Sequence, residues 1–474
     1  MFSKILIANR GEIAVRIIRA CKEMGILTVA VYSEADRYAL HVALADESYC
    51  IGPAQAGESY LNEERIISAA LVSGAQAIHP GYGFLSENPH FARLCAKNGV
   101  VFIGPDAESM EQISDKAHLK KIMQGTNLKP IPGTEALYSI EEVLEGADKL
   151  GYPVMLKACF GGGGRGIRLA RTKEELEQVY PLAAAECESA FGDSSMYLEK
   201  YIYPARHIEV QILADETGHV VSLGERDCSM QRRNQKLLEE SPSIALTQDM
   251  RNRVGRLAVK AAKSVHYSNI GTVEFLLDLS NNEFYFMEIN PRIQVEHGIT
   301  EAVTGIDLVR TQIRIAAGEA LEITQEDVNF TGHAIECRIN AEDPENNFMP
   351  CPGQITFLHE PSGPRVRFDS GVTAGLAIEP YYDSMIAKII VHGRTRGDAI
   401  KIMERALKEF RIDGVKTTVS LHKNILKDTY FRTGNIDTQF IKKRIDVYEA
   451  APKDTKDMNE EELANTISES MYLA

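Results

Sequence analysis

No stretch of this 474-residue chain approaches the roughly 20 consecutive apolar residues of a membrane span. The opening Met-Phe-Ser-Lys-Ile-Leu-Ile-Ala also lacks the apolar h-region and small-residue cleavage site of a signal peptide. The eight cysteines are scattered and form no C-x-x-C pair, the pattern of reduced thiols in a cytoplasmic protein. Basic residues are outnumbered, 52 Lys and Arg against 67 Asp and Glu: the net charge of -15 argues against nonspecific nucleic-acid binding, so a polyanionic substrate must meet a local basic cluster. Internal repeats and low-complexity segments are absent. What remains is an ordinary globular composition, 44% hydrophobic and 25% charged, long enough for about three domains at ~150 residues each.

The chain opens in α/β fashion. Ile5-Leu6-Ile7-Ala8 reads as a buried strand, and Ile13, Ile17, Cys21 and Met24 recur at helical spacing before Gly25. Thr28–Tyr32, Gln76–Ile78 and Val100–Gly104 read as further strands, so residues 1–113 predict a parallel, doubly wound domain. Its first turn, Asn9-Arg10-Gly11-Glu12, holds one glycine, too few for a dinucleotide loop. That turn and His79-Pro80-Gly81-Tyr82-Gly83 read as structural. Asp115 stands at the start of the next helix, and Thr172 with Glu175 makes a capping box. Strands and turns dominate from residue 331, with an amphipathic helix from Ala399 to Phe410. Residues 446–474 form a charged tail in which Asn459 caps a short helix, a candidate interaction element.

Three constellations carry chemistry. Gly161–Gly166 lies between two strand-like runs, Tyr152–Ala158 and Ile167–Ala170, so it reads as a hairpin tip whose free N–H groups suit phosphate, with Lys157 supplying charge. Glu225–Lys236 is a basic island; simple alternation puts Gln231, Arg233 and Gln235 on one face and Arg232 with Lys236 on the other. The third is Phe286–His297. Phe286, Glu288 and Asn290 share one face of a strand, Pro291 ends it, and Arg292, Gln294, Glu296 and His297 crowd into the next residues. Charge so concentrated reads as a site for a cation and an anion together. Glu274 and Glu288 fall on consecutive strands and suit Mg²⁺, provided an odd loop or a bulge at the Asn281-Asn282 turn brings them to one face.

Together these residues resemble biotin carboxylase, an ATP-grasp enzyme, over residues 1 to about 445. The resemblance rests on Asn9–Ala14, His79–Asn88, Lys157–Arg168, Glu225–Lys236, Glu288–His297 and Glu336–Asp343. It implies an α/β fold with a Rossmann-like pre-ATP-grasp domain (1–113), an ATP-grasp domain (114–330) whose lid spans about 131–203, and a C-terminal domain (331–445). It implies carboxylation of biotin on its carrier protein with ATP and bicarbonate. Lys116, Lys157, Gly163, Gly164, Glu199, Lys200, Ile202, His207, Gln231, Asn234 and Leu276 would line the ATP site, Asn234 standing where histidine is frequent. Glu274, Glu288 and Asn290 would hold Mg²⁺ or Mn²⁺. Lys236, Arg292, Gln294 and Val295 would hold bicarbonate, Glu296 would be the general base, and Arg338 would stabilise the biotin enolate.

No Met-Lys-Met biotinylation motif occurs, so the biotin carrier and the carboxyltransferase are expected in trans. The family is commonly dimeric, with Arg16, Arg19 and Glu23 as interface candidates. The parent complex is expected to be an acetyl-CoA carboxylase, with a two-chain pyruvate carboxylase or another acyl-CoA or 2-oxoacid carboxylase as alternatives. Other ATP-grasp ligases share the nucleotide residues but have no need of Arg338 or the Arg292–Glu296 arm. A non-catalytic nucleotide-binding scaffold would have no need of Glu296 or Lys236.

Overall fold

The computed structural model describes residues 1–126, 128–159 and 167–449. The glycine loop with Gly163 and Gly164, and the tail helix expected from Asn459, lie outside these. The chain begins with β1 (Lys4–Ile7), α1 (Gly11–Glu23), β2 (Leu27–Ser33), β3 (Glu47–Gly52), β4 (Ala77–His79) and β5 (Val101–Phe102). All pairings in this sheet are parallel, in the order β3-β2-β1-β4-β5. A parallel strand is covered on both faces, which explains why β1 is apolar and buried after Lys4. Ile5 and Ile7 pack into one hydrophobic cluster, Leu6 and Ala8 into another.

Asp115 caps α2 (Lys116–Gly125), accepting from the His118 N–H. A small sheet follows, made of β6 (Val154–Ala158), β7 (Arg168–Ala170) and β8 (Met196–Lys200) in the order β7-β6-β8. Thr172 caps the next helix by accepting from the Glu175 N–H, but the Glu175 carboxylate takes the Arg171 N–H, not that of Thr172. The expected capping box is therefore half made.

The largest sheet collects β9 (Ala205–Ala214), β10 (Val220–Arg232), β11 (Gln235–Ser241), β12 (Asn269–Asp278), β13 (Glu283–Asn290), β14 (His333–Asn340), β15 (Val366–Ser370) and β16 (Met385–Gly393). Its order is β13-β12-β9-β10-β11-β14-β16-β15, so it runs without a break from residues before 330 to residues after it. α3 (His297–Thr304) follows β13, and α4 (Arg396–Glu409) packs beside β16. Among the described residues, no helix is long and apolar enough to cross a membrane.

Candidate active site

β12 and β13 pair Asp278 with Glu283, which leaves a four-residue connection, 279–282. An even connection alone would send Glu274 and Glu288 to opposite faces. The ladder then slips by one residue between Phe275↔Phe286 and Glu274↔Glu288, with Met287 as the extra residue. The bulge, not an odd loop, brings the two carboxylates directly opposite each other. The same line continues across the sheet, since Glu274 also lies opposite Glu209 on β9, and Glu209 opposite Arg226 on β10. Three carboxylates and a guanidinium thus form one cross-strand row.

The hairpin from β10 to β11 turns at Arg233 and Asn234, both with positive φ. Across such a turn, paired residues share a face. Gln231 therefore lies opposite Lys236, and Arg232 opposite Gln235. This corrects the alternation that put Gln231 and Lys236 on opposite faces: counting in twos along the sequence fails where the strand reverses. Lys236 Nζ reaches Glu209 at 2.5 Å, Glu296 at 2.7 Å and Glu274 at 3.1 Å. Arg226, wholly buried, pairs with Glu209 and donates to Gln211, Thr272 and Thr300.

Pro291 ends β13, and the chain then crosses to α3. Glu296 occupies the N-cap position of α3 but makes no capping bond. Its side chain turns instead to Lys236 and, at 2.8 Å, to Arg338 on β14. Burial alone would raise this carboxyl, but Lys236, Arg338 and Arg226 outweigh it and hold it well below the ordinary range. Arg338 is held from its other side by Glu239 at 2.5 Å. Burial and the nearby Glu296 push Glu239 up to about 7, against the pull of Arg338. Arg292 donates to Gln294 at 2.7 Å and to Glu87 at 2.5 Å.

Toward the other end, Glu199 is bracketed by Lys120 at 2.6 Å and Lys157 at 2.5 Å. Burial opposes its ionisation, yet the two lysines draw its pKa down to about 2. Lys116, one helical turn before Lys120, points at Glu288 from 3.8 Å. Gln231 donates to His207 Nδ1 at 2.6 Å, and His207 Nε2 faces Glu274 at 2.9 Å.

Most of these groups line one cavity of about 1360 Å³, while Glu87, Glu209, Arg226 and Glu239 stand outside its lining. Every expected site residue within the described chain contributes to it: Lys116, Lys157, Glu199, Lys200, Ile202, His207, Gln231, Asn234, Lys236, Glu274, Leu276, Glu288, Asn290, Arg292, Gln294, Val295, Glu296 and Arg338. The two turns read as structural line it as well. Asn9 ties them together by donating to the Pro80 and Tyr82 carbonyls, while Glu87 and Tyr82 reach Arg292 and Glu12. Lys120, Glu209 and Glu239 join the site without having been expected there. Of the three, Lys120 alone has a local signal, its i+4 spacing from Lys116. The interface candidates divide: Arg16 is committed to Glu301 and Asp307 of its own chain, whereas Arg19 and Glu23 are exposed, Glu23 pairing with Arg310 at 3.2 Å.

Three family profiles cover nearly the whole chain: biotin carboxylase N-terminal domain at residues 1–110, carbamoyl-phosphate synthase L chain ATP-binding domain at 115–324, and biotin carboxylase C-terminal domain at 336–443. A biotin carboxylase of Nostoc is 55% identical over 93% of this chain and 98% of its own length. A pyruvate carboxylase subunit of Methanothermobacter thermautotrophicus is 52% identical over 93% and 90%. The biotin carboxylase domain dimer of Hydrogenobacter thermophilus 2-oxoglutarate carboxylase, solved with MgADP, ADP and bicarbonate, superposes with a TM-score of 0.92 at 50% identity, over 95% of this chain and 100% of that one. A cavity with a lysine-bracketed carboxylate at one end and an arginine-clasped one at the other thus sits in a fold matched along nearly all its length, and the chain belongs to the biotin carboxylase family of ATP-dependent carboxylases.

Proposed function

We propose that the chain carboxylates biotin carried on a partner protein, using ATP and bicarbonate through carboxyphosphate. One observation carries the reading: Glu296 is a buried carboxylate clasped between Lys236 and Arg338 at the wall of the cavity. Bicarbonate is a weak nucleophile that needs its proton removed and its position fixed. An anion entering between Lys236 and Arg292 divides the cation charge that now serves Glu296. The carboxylate then rises in basicity where a proton acceptor is required.

Lys116 and Lys157 bring positive charge to the phosphate end, and Glu199 holds Lys157 in place. Glu274, Glu288 and Asn290 offer two carboxylates and an amide carbonyl, hard oxygen donors that would hold Mg²⁺ or Mn²⁺ to neutralise the transferring phosphoryl charge. Collapse of carboxyphosphate gives CO₂ and phosphate; phosphate takes the biotin N1′ proton, and Arg338 faces the enolate oxygen.

The acceptor is chosen elsewhere. Relatives at 51–55% identity are named for biotin carboxylase, pyruvate carboxylase and 2-oxoglutarate carboxylase, which supports one half-reaction serving several transferases. Acetyl-CoA carboxylase is our assignment for the complex, with carrier and transferase on other chains and a homodimer using Arg19 and Glu23. The eight unpaired cysteines accord with the reducing cytosol. ATP hydrolysis measured with and without bicarbonate and free biotin tests the reading. It should require bicarbonate and rise with biotin; hydrolysis indifferent to bicarbonate would overturn it.

A further inference from the structure

Lys388 is wholly buried on β16, lying across from Arg338 on β14 and from Asp369 on β15. A buried lysine is costly unless paired, and apolar residues often fill such positions without loss of stability. Its contacts indicate what it does. Nζ donates to the Val295 carbonyl at 2.6 Å and pairs with Glu12 Oε1 at 3.2 Å. Glu12, in the first turn of α1, accepts from the Tyr82 hydroxyl. The preceding carbonyl of the arm, that of Gln294, is held by His297 Nδ1 at 2.8 Å. Residues 291–296 belong to no helix or strand, so these two buried side chains fix consecutive peptide planes within the arm.

We propose that Lys388 is a positioning residue for the Gln294–Glu296 arm, fixing the Val295 peptide and, through Glu12, coupling the arm to the Tyr82 turn on the cavity wall. The proposal rests on the bicarbonate reading of that arm. Rotating the Val295–Glu296 peptide plane swings the Glu296 N–H and re-aims the Glu296 side chain, so the loss falls on bicarbonate rather than on nucleotide.

The test compares the full-length parent with Lys388→Met and Lys388→Arg. In Lys388→Met, the KM for bicarbonate should rise about ten-fold, the loss of one charged hydrogen bond, with a smaller change in kcat. ADP affinity should stay within two-fold, and hydrogen exchange in residues 294–297 should quicken. Lys388→Arg, which can donate to the same carbonyl, should recover part of the KM. An unchanged bicarbonate KM, or an equal loss of ADP affinity, overturns the proposal. If Lys388→Met does not fold, Glu12→Gln takes its place: a raised bicarbonate KM supports the coupling, and an unchanged one defeats it. A parent whose ATP hydrolysis ignores bicarbonate defeats the functional reading; amide exchange in the arm then decides by itself whether Lys388 pins it.

Discussion

Glu274 faces Glu288 directly across a hairpin, and the one-residue bulge at Met287 puts it there. The two carboxylates are not equivalent. Glu274 is buried, and its oxygens take Lys236, His207, the Asn290 amide at 2.9 Å and the Gln294 amide at 3.3 Å. Glu288 is 38% exposed at its side chain and pairs with Lys116 at 3.8 Å.

This asymmetry separates metal binding from stability. Both Glu274→Gln and Glu288→Gln should weaken Mn²⁺ binding in the presence of ADP, read by electron paramagnetic resonance, by at least ten-fold, since each removes a charged ligand. Only Glu274→Gln should lower the melting temperature, because the buried Glu274 carboxylate serves Lys236, His207, Asn290 and Gln294 at once. Unchanged Mn²⁺ affinity in Glu288→Gln would remove that residue from the metal set.

Lys236 and Glu296 differ in the same way. Glu296→Gln should abolish bicarbonate-dependent ATP hydrolysis, falling at least 100-fold as expected for loss of a general base, with ADP binding within a few-fold. Lys236→Ala should lose the same activity and also destabilise the fold by roughly 3–5 kcal/mol, because Glu209, Glu274 and Glu296 share its ammonium and are left as a close cluster of buried carboxylates. Urea unfolding separates the variants. Normal ATP hydrolysis in either would defeat the assignment.

Much of the site is legible because its residues lie close together in sequence: Arg292 to Glu296 follow a strand that Pro291 visibly ends. Register is only half legible. The sequence shows that Glu274 and Glu288 require an odd loop or a bulge, but not which of the two, nor that Met287 supplies it, since no local preference marks that residue. Gln231 and Lys236 are misplaced by simple alternation because a two-residue turn resets the alternation of side chains. Glu87, Glu239 and Lys388 reach the site from separate strands or turns, more than 50 residues along the chain from the groups they hold. The apolar run around Lys388 marks it as buried and Glu87 falls within the His79–Asn88 motif, but only the contacts of the folded chain show which groups they hold.

Arg338 bridges Glu239 and Glu296, yet Lys236 and Arg226 also attend Glu296. Arg338→Ala should therefore leave bicarbonate-dependent ATP hydrolysis within about ten-fold while biotin carboxylation falls by a further factor of about 100, since enolate stabilisation needs the guanidinium. Assays of phosphate release and of labelled carboxybiotin on one preparation read the ratio. Equal losses would assign Arg338 to the bicarbonate step alone.

The Arg338 carbonyl accepts from His422 Nε2 at 2.7 Å, and His422 Nδ1 is buried without a partner. Burial lowers the His422 pKa to about 4, outweighing the Arg338 carbonyl, which favours the charged ring. The unfolded chain protonates this histidine near 6.5, so between pH 6.5 and 4 it binds a proton that the folded chain refuses. The stabilising contribution is therefore complete above pH 6.5 and is lost as pH falls toward 4, the loss reaching about 1 kcal/mol at pH 5.5. His422→Gln removes the titration and keeps a donor for the carbonyl. Urea midpoints at pH 7 and 5.5 should show the parent losing about 1 kcal/mol more than the variant on acidification. Other buried groups titrate in both proteins and cancel in the difference. Equal losses would mean that His422 takes its proton as readily in the folded chain as in the unfolded one, which requires water at the ring behind Arg338.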